Sequence, residues 1–106
     1  PKINIPTIIH NTAIVEKSAK IQDGSQIMAG AIIGAHVAID SNCIINSGSI
    51  ISHDSLIKKS AHITPGAILA GNVTIGQRCL IGMGSTIFFG LTIDDDEIIK
   101  NGENVN

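Results

Sequence analysis

Isoleucine, valine or leucine recurs at every sixth residue from Ile9 to Ile93 without interruption. The series runs Ile9, Val15, Ile21, Ile27, Ile33 and on to Ile81, Ile87 and Ile93, fifteen positions in all. These three residue types make up roughly 0.3 of the chain, so chance would fill one chosen register with a frequency on the order of 10⁻⁸. Four residues after each member, from Ala13 to Leu91, the side chain is nearly always small: alanine, serine, cysteine or valine. A strict period of six matches no 3.6-residue helical stripe. An ordinary hairpin sheet is excluded as well, since the turn dipeptides it needs are missing.

One aliphatic and one small inward residue per hexad describe a short strand and a bend. Such a unit cannot bury itself, so stacking must supply the core. Three hexads make an 18-residue coil, with successive coils about 4.8 Å apart. The period therefore predicts an all-β parallel β-helix, a three-sided prism of four to five coils over residues 9–93. Residues 1–8 form a lead-in, and 94–106 an acidic tail whose exposed charge blunts the open end. The hand of the coil does not follow from these arguments.

Composition narrows the function classes. The chain has 23 isoleucines, which suits strands, and only 2% aromatic residues. A net charge of −2, no basic run and almost no aromatics for base stacking argue against nucleic acid as a partner. No apolar run approaches the roughly 20 residues that cross a bilayer. The start Pro1-Lys2-Ile3-Asn4 lacks signal-peptide architecture, and its missing initiator methionine suggests the start of a longer protein has been removed. Cys43 and Cys79 do not suggest a secreted disulfide scaffold, so the expected compartment is the cytoplasm.

Residues 18 apart stack on one face. Cys43 and Cys79 share an inward column with Ala61 between them, roughly 9–10 Å apart and too distant for a disulfide. An outward column reads Ile14, Ile32, Ile50, Ile68 and then Thr86. An exposed apolar stripe of this kind marks an interface, here self-association, with cover by a lost domain or a terminal segment as the alternative. Ile44, His62 and Leu80 form a second, broken apolar edge, expected to face the neighbouring subunit across a groove.

Of the four histidines, His53 stands out. Asp54 adjoins it, polar residues cluster around it, and Gly71 lies one coil above, where a missing side chain leaves space for a ligand and exposes backbone N–H groups. His36, one coil below Asp54, reads as its surface partner, and His10 lies near the start of the coil.

The segments Asn46-Ser47-Gly48, His53-Asp54, Ala61-His62-Ile63-Thr64-Pro65-Gly66-Ala67 and Ala70-Gly71-Asn72-Val73-Thr74-Ile75-Gly76 resemble the core signature of the NeuD/PglD-type sugar acetyltransferases. That family includes sialic acid O-acetyltransferases and N-acetyltransferases of nucleotide-linked 4-amino sugars. The resemblance implies a left-handed coil, acetyl-CoA as co-substrate, no metal, and a homotrimer with a sugar or nucleotide-sugar acceptor. It implies His53 as general base with Asp54 the acid beside it, His62 near the thioester, and Asn46 as a further polar site residue. It also implies that the Gly71 N–H binds the thioester oxygen, and that the step from Gly82-Met83-Gly84-Ser85 to Phe88-Phe89-Gly90 lines the CoA arm. Phe89 continues the His53–Gly71 column and so either packs on the pantetheine or caps the last coil. His53 and His62 are nine residues apart, half a coil, so a site using both draws them from two subunits. The family's N-terminal nucleotide-sugar-binding domain is absent from this sequence.

Two other functions compete. A γ-type carbonic anhydrase needs three converging zinc-binding histidines, including a close pair, and the spacings of 26, 17 and 9 residues do not provide one. A non-catalytic trimerising module would leave His53, Asp54, His62 and Gly71 unexplained.

Overall fold

The computed structural model describes residues 5–106. Seventeen strands of two residues follow one another at six-residue intervals, from Ile8–Ile9 to Asn104–Val105. Every third strand joins the same parallel sheet, with partners 18 residues apart, as where Ile50 pairs with Ile32 and Ile68. Three sheets of six, six and five strands result. Face A includes Ile8–Ile9, Ile44–Ile45 and His62–Ile63. Face B includes Ile14–Val15, Ile50–Ile51 and Ile68–Leu69, and face C includes Lys20–Ile21 and Leu56–Ile57. The all-β coil expected from the period of six is the fold observed.

The second residue of each strand points inward. From Ile27 to Ile87 these aliphatics are at most 1% exposed. Each contributes roughly 1.5–3 kcal/mol relative to an exposed position. The small inward positions carry polar atoms that the coil itself satisfies. Ser25 Oγ donates to the Asp40 carbonyl at 2.7 Å, and Ser49 Oγ to that of Thr64 at 2.9 Å. Cys43 and Cys79 are buried and free, their thiols donating to the Lys58 and Asp94 carbonyls. Burial pushes both thiols above their ordinary value.

A third periodic position governs the corners. Every sixth residue from Gly24 to Gly102 has a left-handed backbone, with φ between +49° and +78°. Seven of these are glycine, and the rest are His36, Asn42, Asp54, Ser60, Asn72, Arg78 and Asp96. This row turns the chain from one face to the next.

The coil does not end at residue 93. Ile98–Ile99 pairs with Leu80–Ile81, and Asn104–Val105 with Thr86–Ile87. The segment expected to be an acidic tail is instead two further hexads. Ile99 and Val105 keep the aliphatic position, while Glu97 and Glu103 replace the small inward residue and stay exposed. The acidic run serves the corner: Asp96 chelates Arg78 (Nε–Oδ1 2.7 Å, Nη2–Oδ2 3.0 Å), and Asp95 Oδ1 accepts the Gln77 N–H at 2.7 Å. At the other end, Ile8 of the lead-in already pairs with Gln26, and the first four residues of that lead-in lie outside the described ones.

The outward columns stack as the 18-residue step requires. Ile14, Ile32, Ile50, Ile68 and Thr86 run up face B, and Ile44, His62 and Leu80 up face A. Ile14 is 60% exposed, and Ile32 and Ile68 are each 39% exposed.

Candidate active site

The corner from face B to face C is Ser52-His53-Asp54-Ser55. Asp54 takes the left-handed conformation (φ +59°), which a short polar side chain tolerates better than most, and its N–H donates to the Ala35 carbonyl at 2.9 Å. This turn brings its carboxylate back onto the neighbouring ring, with Oδ2 2.9 Å from His53 Nδ1. A carboxylate can only accept, so Nδ1 carries a proton, and in the neutral ring Nε2 is the nitrogen with the lone pair. Both side chains are 56% exposed.

Gly71 lies one coil on, where a Cβ would come within 2.9 Å of His53 Nε2. The imidazole itself therefore occupies the room that the missing side chain leaves, which was expected to be open to a ligand. Gly71 is buried with φ +125°, and among the described residues nothing accepts its N–H. A buried donor without an acceptor is uncommon and marks a place for one. Phe89 completes the column, its ring centroid 6.1 Å from that of His53 and tilted by 45°. Gly34 contributes from the other side. A Cβ there would press to 2.9 Å from the His53 backbone nitrogen, so the corner closes only over glycine. Sequence reasoning missed Gly34, although its place one coil from Ser52 was there to be read. The expected pairing of His36 with Asp54 does not form, because the carboxylate turns to His53.

His62 lies on face A, away from this corner. Asn46 Oδ1 accepts the Ser47 N–H at 2.8 Å, which leaves Nδ2 to face His62 Nε2 at 3.3 Å. Nδ2 donates and Nε2 accepts, so His62 also carries its proton on Nδ1. The structure thus forms two separate groups: His53, Asp54, Gly71 and Phe89 at one corner, and Asn46 with His62 on another face. Within one chain His53 and His62 are not brought together. Among the described residues there is no group of three potential metal ligands, and no helix is long and apolar enough to cross a membrane.

Residues 18–53 match the bacterial transferase hexapeptide family (six repeats). No curated protein matches. Among solved structures, a histidine-to-alanine variant of GDP-perosamine N-acetyltransferase from Caulobacter crescentus, in complex with CoA and GDP-perosamine, is 33% identical with a TM-score of 0.96, over 97% of this chain and 49% of that one. The acetyltransferase domain of PglB from Neisseria gonorrhoeae, in complex with acetyl coenzyme A, is 32% identical with a TM-score of 0.92, over 96% of this chain and 52% of that one. UDP-N-acetylglucosamine acyltransferase from Francisella novicida is 25% identical with a TM-score of 0.87, over 93% of this chain and 43% of that one. The chain thus spans about half the length of these two acetyltransferases. It is a hexapeptide-repeat β-helix. Its likeness within that class is to the NeuD/PglD-type sugar acetyltransferases, as the His-Asp and His-x-x-Pro-Gly-Ala segments imply.

Proposed function

We propose that this chain is the catalytic β-helix of an acetyl-CoA-dependent sugar acetyltransferase, acting on an amino or hydroxyl group of a nucleotide-linked sugar. One observation carries the reading: His53, its Nδ1 committed to Asp54, turns Nε2 toward Gly71, whose amide has no acceptor among the described residues. The CoA and GDP-perosamine complexes of the perosamine enzyme and the acetyl coenzyme A complex of the PglB domain support it.

The chemistry follows from these atoms. The acceptor nitrogen or oxygen attacks the thioester carbonyl, and Nε2 takes the proton it loses. Asp54 steadies the resulting imidazolium. The Gly71 N–H donates to the carbonyl oxygen as it gathers negative charge, and a fixed donor of this kind needs no reorganisation. Collapse breaks the C–S bond, and the departing CoA thiolate takes up a proton. His62 cannot act as a second base while its Nε2 accepts from Asn46; its Nδ1–H instead aligns the thioester. Phe89, 62% exposed, offers the pantetheine arm an apolar surface. No metal enters the scheme. We further read the working form as a homotrimer in the cytoplasm, which the Ile14/Ile32/Ile50/Ile68 stripe and the two free thiols support.

The test is His53→Ala, assayed with acetyl-CoA and nucleotide-linked amino sugars. Turnover should fall about 10²–10⁴-fold, the usual loss for a positioned base. Acetyl-CoA affinity should hold, because the proton moves only on the way to the transition state. Near wild-type turnover would overturn the assignment.

A further inference from the structure

Eight of the eleven glycines have a positive φ, a conformation that itself favours glycine, and three do not: Gly34, Gly76 and Gly82. These three share one hexad position, directly after the inward aliphatics Ile33, Ile75 and Ile81. Elsewhere that position holds Met28, Asp40, Asn46, Lys58 and Phe88, so the coil as a rule has room there for a side chain. At the three glycines it has none. A Cβ would come within 2.5 Å of the Asp95 and Asn101 backbone nitrogens at Gly76 and Gly82, and within 2.9 Å of the His53 nitrogen at Gly34. The obstacle each time is the corner of the next coil, which leans onto the glycine.

Two of these corners are drawn down by a hydrogen bond beside the glycine. Asp95 Oδ1 accepts the Gln77 N–H at 2.7 Å, and Asn101 Oδ1 accepts the Met83 N–H at 2.9 Å. The equivalent bond at Gly34 would run from the Ala35 N–H to the His53 side chain, and it is not made. The His53 ring turns the other way, to Asp54 and Gly71. Its peptide is held from both sides: the Asp54 N–H donates to the Ala35 carbonyl at 2.9 Å, and the Asn72 N–H to the His53 carbonyl at 2.8 Å. His53 therefore lies between two missing side chains, that of Gly34 against its backbone and that of Gly71 against Nε2.

We propose that Gly34 is a positioning residue for His53. Its bare Cα lets the Ser52-His53-Asp54 corner sit low enough for the ring to fit beneath Gly71. A methyl at position 34 would lift the corner toward the coil above. His53 and Asp54 would move together, so their mutual bond would survive while the spacing between Nε2 and the Gly71 amide changed. This assignment rests on the acetyl-transfer reading and adds what sets the height of the base.

Gly34→Ala and Gly76→Ala separate positioning from general loosening of the coil. Each puts a methyl against backbone, the second at another corner and with the closer approach. Both should lower the unfolding temperature. Only Gly34→Ala should shift the His53 ring ¹⁵N and Gly71 amide resonances. Only Gly34→Ala should lower kcat, by about 10-fold or more, with a smaller change in the acetyl-CoA KM, since misplacing a reacting group by about 1 Å costs roughly 10²-fold. Wild-type ring shifts and turnover in Gly34→Ala overturn the assignment, as does an equal loss of turnover in Gly76→Ala. If the ring shifts move but the wild type transfers no acetyl group, the seating of His53 by Gly34 stands and the acetyl-transfer reading falls. Should Gly34→Ala fail to fold, the wild type decides: an NOE between a Gly34 Hα and the His53 amide proton supports the seating, and its absence overturns it.

Discussion

His53 and His62 both carry a proton on Nδ1, one because Asp54 accepts it there and the other because Asn46 donates to Nε2. The consequence differs, since only His53 has a nitrogen free to take up a proton. Asn46→Leu should therefore release His62 into a mixture of tautomers and leave His53 unchanged, which ring ¹⁵N shifts would report. Gly71→Ala should strain a φ of +125° and push a methyl against Nε2, at a cost of about 1–3 kcal/mol for the backbone alone. Thermal unfolding would register that cost. Turnover should fall further than acetyl-CoA affinity, because the displaced group is the base. The His53, Gly71 and Phe89 column was legible by counting in eighteens, since a coil of fixed length makes vertical neighbours arithmetical. The Asn46–His62 bond and the seating of the ring on Gly71 were not. They depend on side-chain torsions and a few tenths of an ångström, which no spacing encodes.

At the level of the hexad, the inward aliphatic contributes most to stability. Ile63→Ala, at 0% exposure, should cost about 2–5 kcal/mol in denaturant unfolding. Ile99→Ala should cost less, because Ile99 is 8% exposed and its strand is the last of face A, so neighbours can close in. That terminal strand shows why part of the fold escaped reading. Ile99 and Val105 continue the series, but Glu97 and Glu103 break the small-residue rule and the acidic run looks like a tail. The corner row was obscured differently, since Gly, Asn, Asp, Ser, His and Arg share one conformation but no chemistry. The last corner also responds to pH. The Arg78 guanidinium bonded to Asp96 holds that carboxyl below its usual value. A lowered folded-state value means the contribution is present above the ordinary carboxylate pKa and is lost as pH falls through the lowered one. Amide exchange in residues 92–105 should quicken over that acidic range and change little at neutral pH.

For the whole molecule, the strongest expectation concerns association. Ile50→Glu puts a carboxylate into the isoleucine stripe, where an unpaired charge in a dry contact costs several kcal/mol. The proposed trimer should dissociate, as light scattering would show, while circular dichroism stays that of the wild type because Ile50 points away from the core. The coil also has what amounts to a reading frame. Every position beyond a given residue owes its face, its depth and its vertical neighbours to a count in sixes and eighteens, and no loop interrupts the count between Ile8 and Val105. Duplicating residues 76–93 directly after Ile93 should lengthen the rod by one coil, about 4.8 Å, and leave the His53–Gly71 corner as it is. Deleting a single residue at the same place should be far worse, since it throws every later isoleucine out of phase and turns core to surface for the rest of the chain.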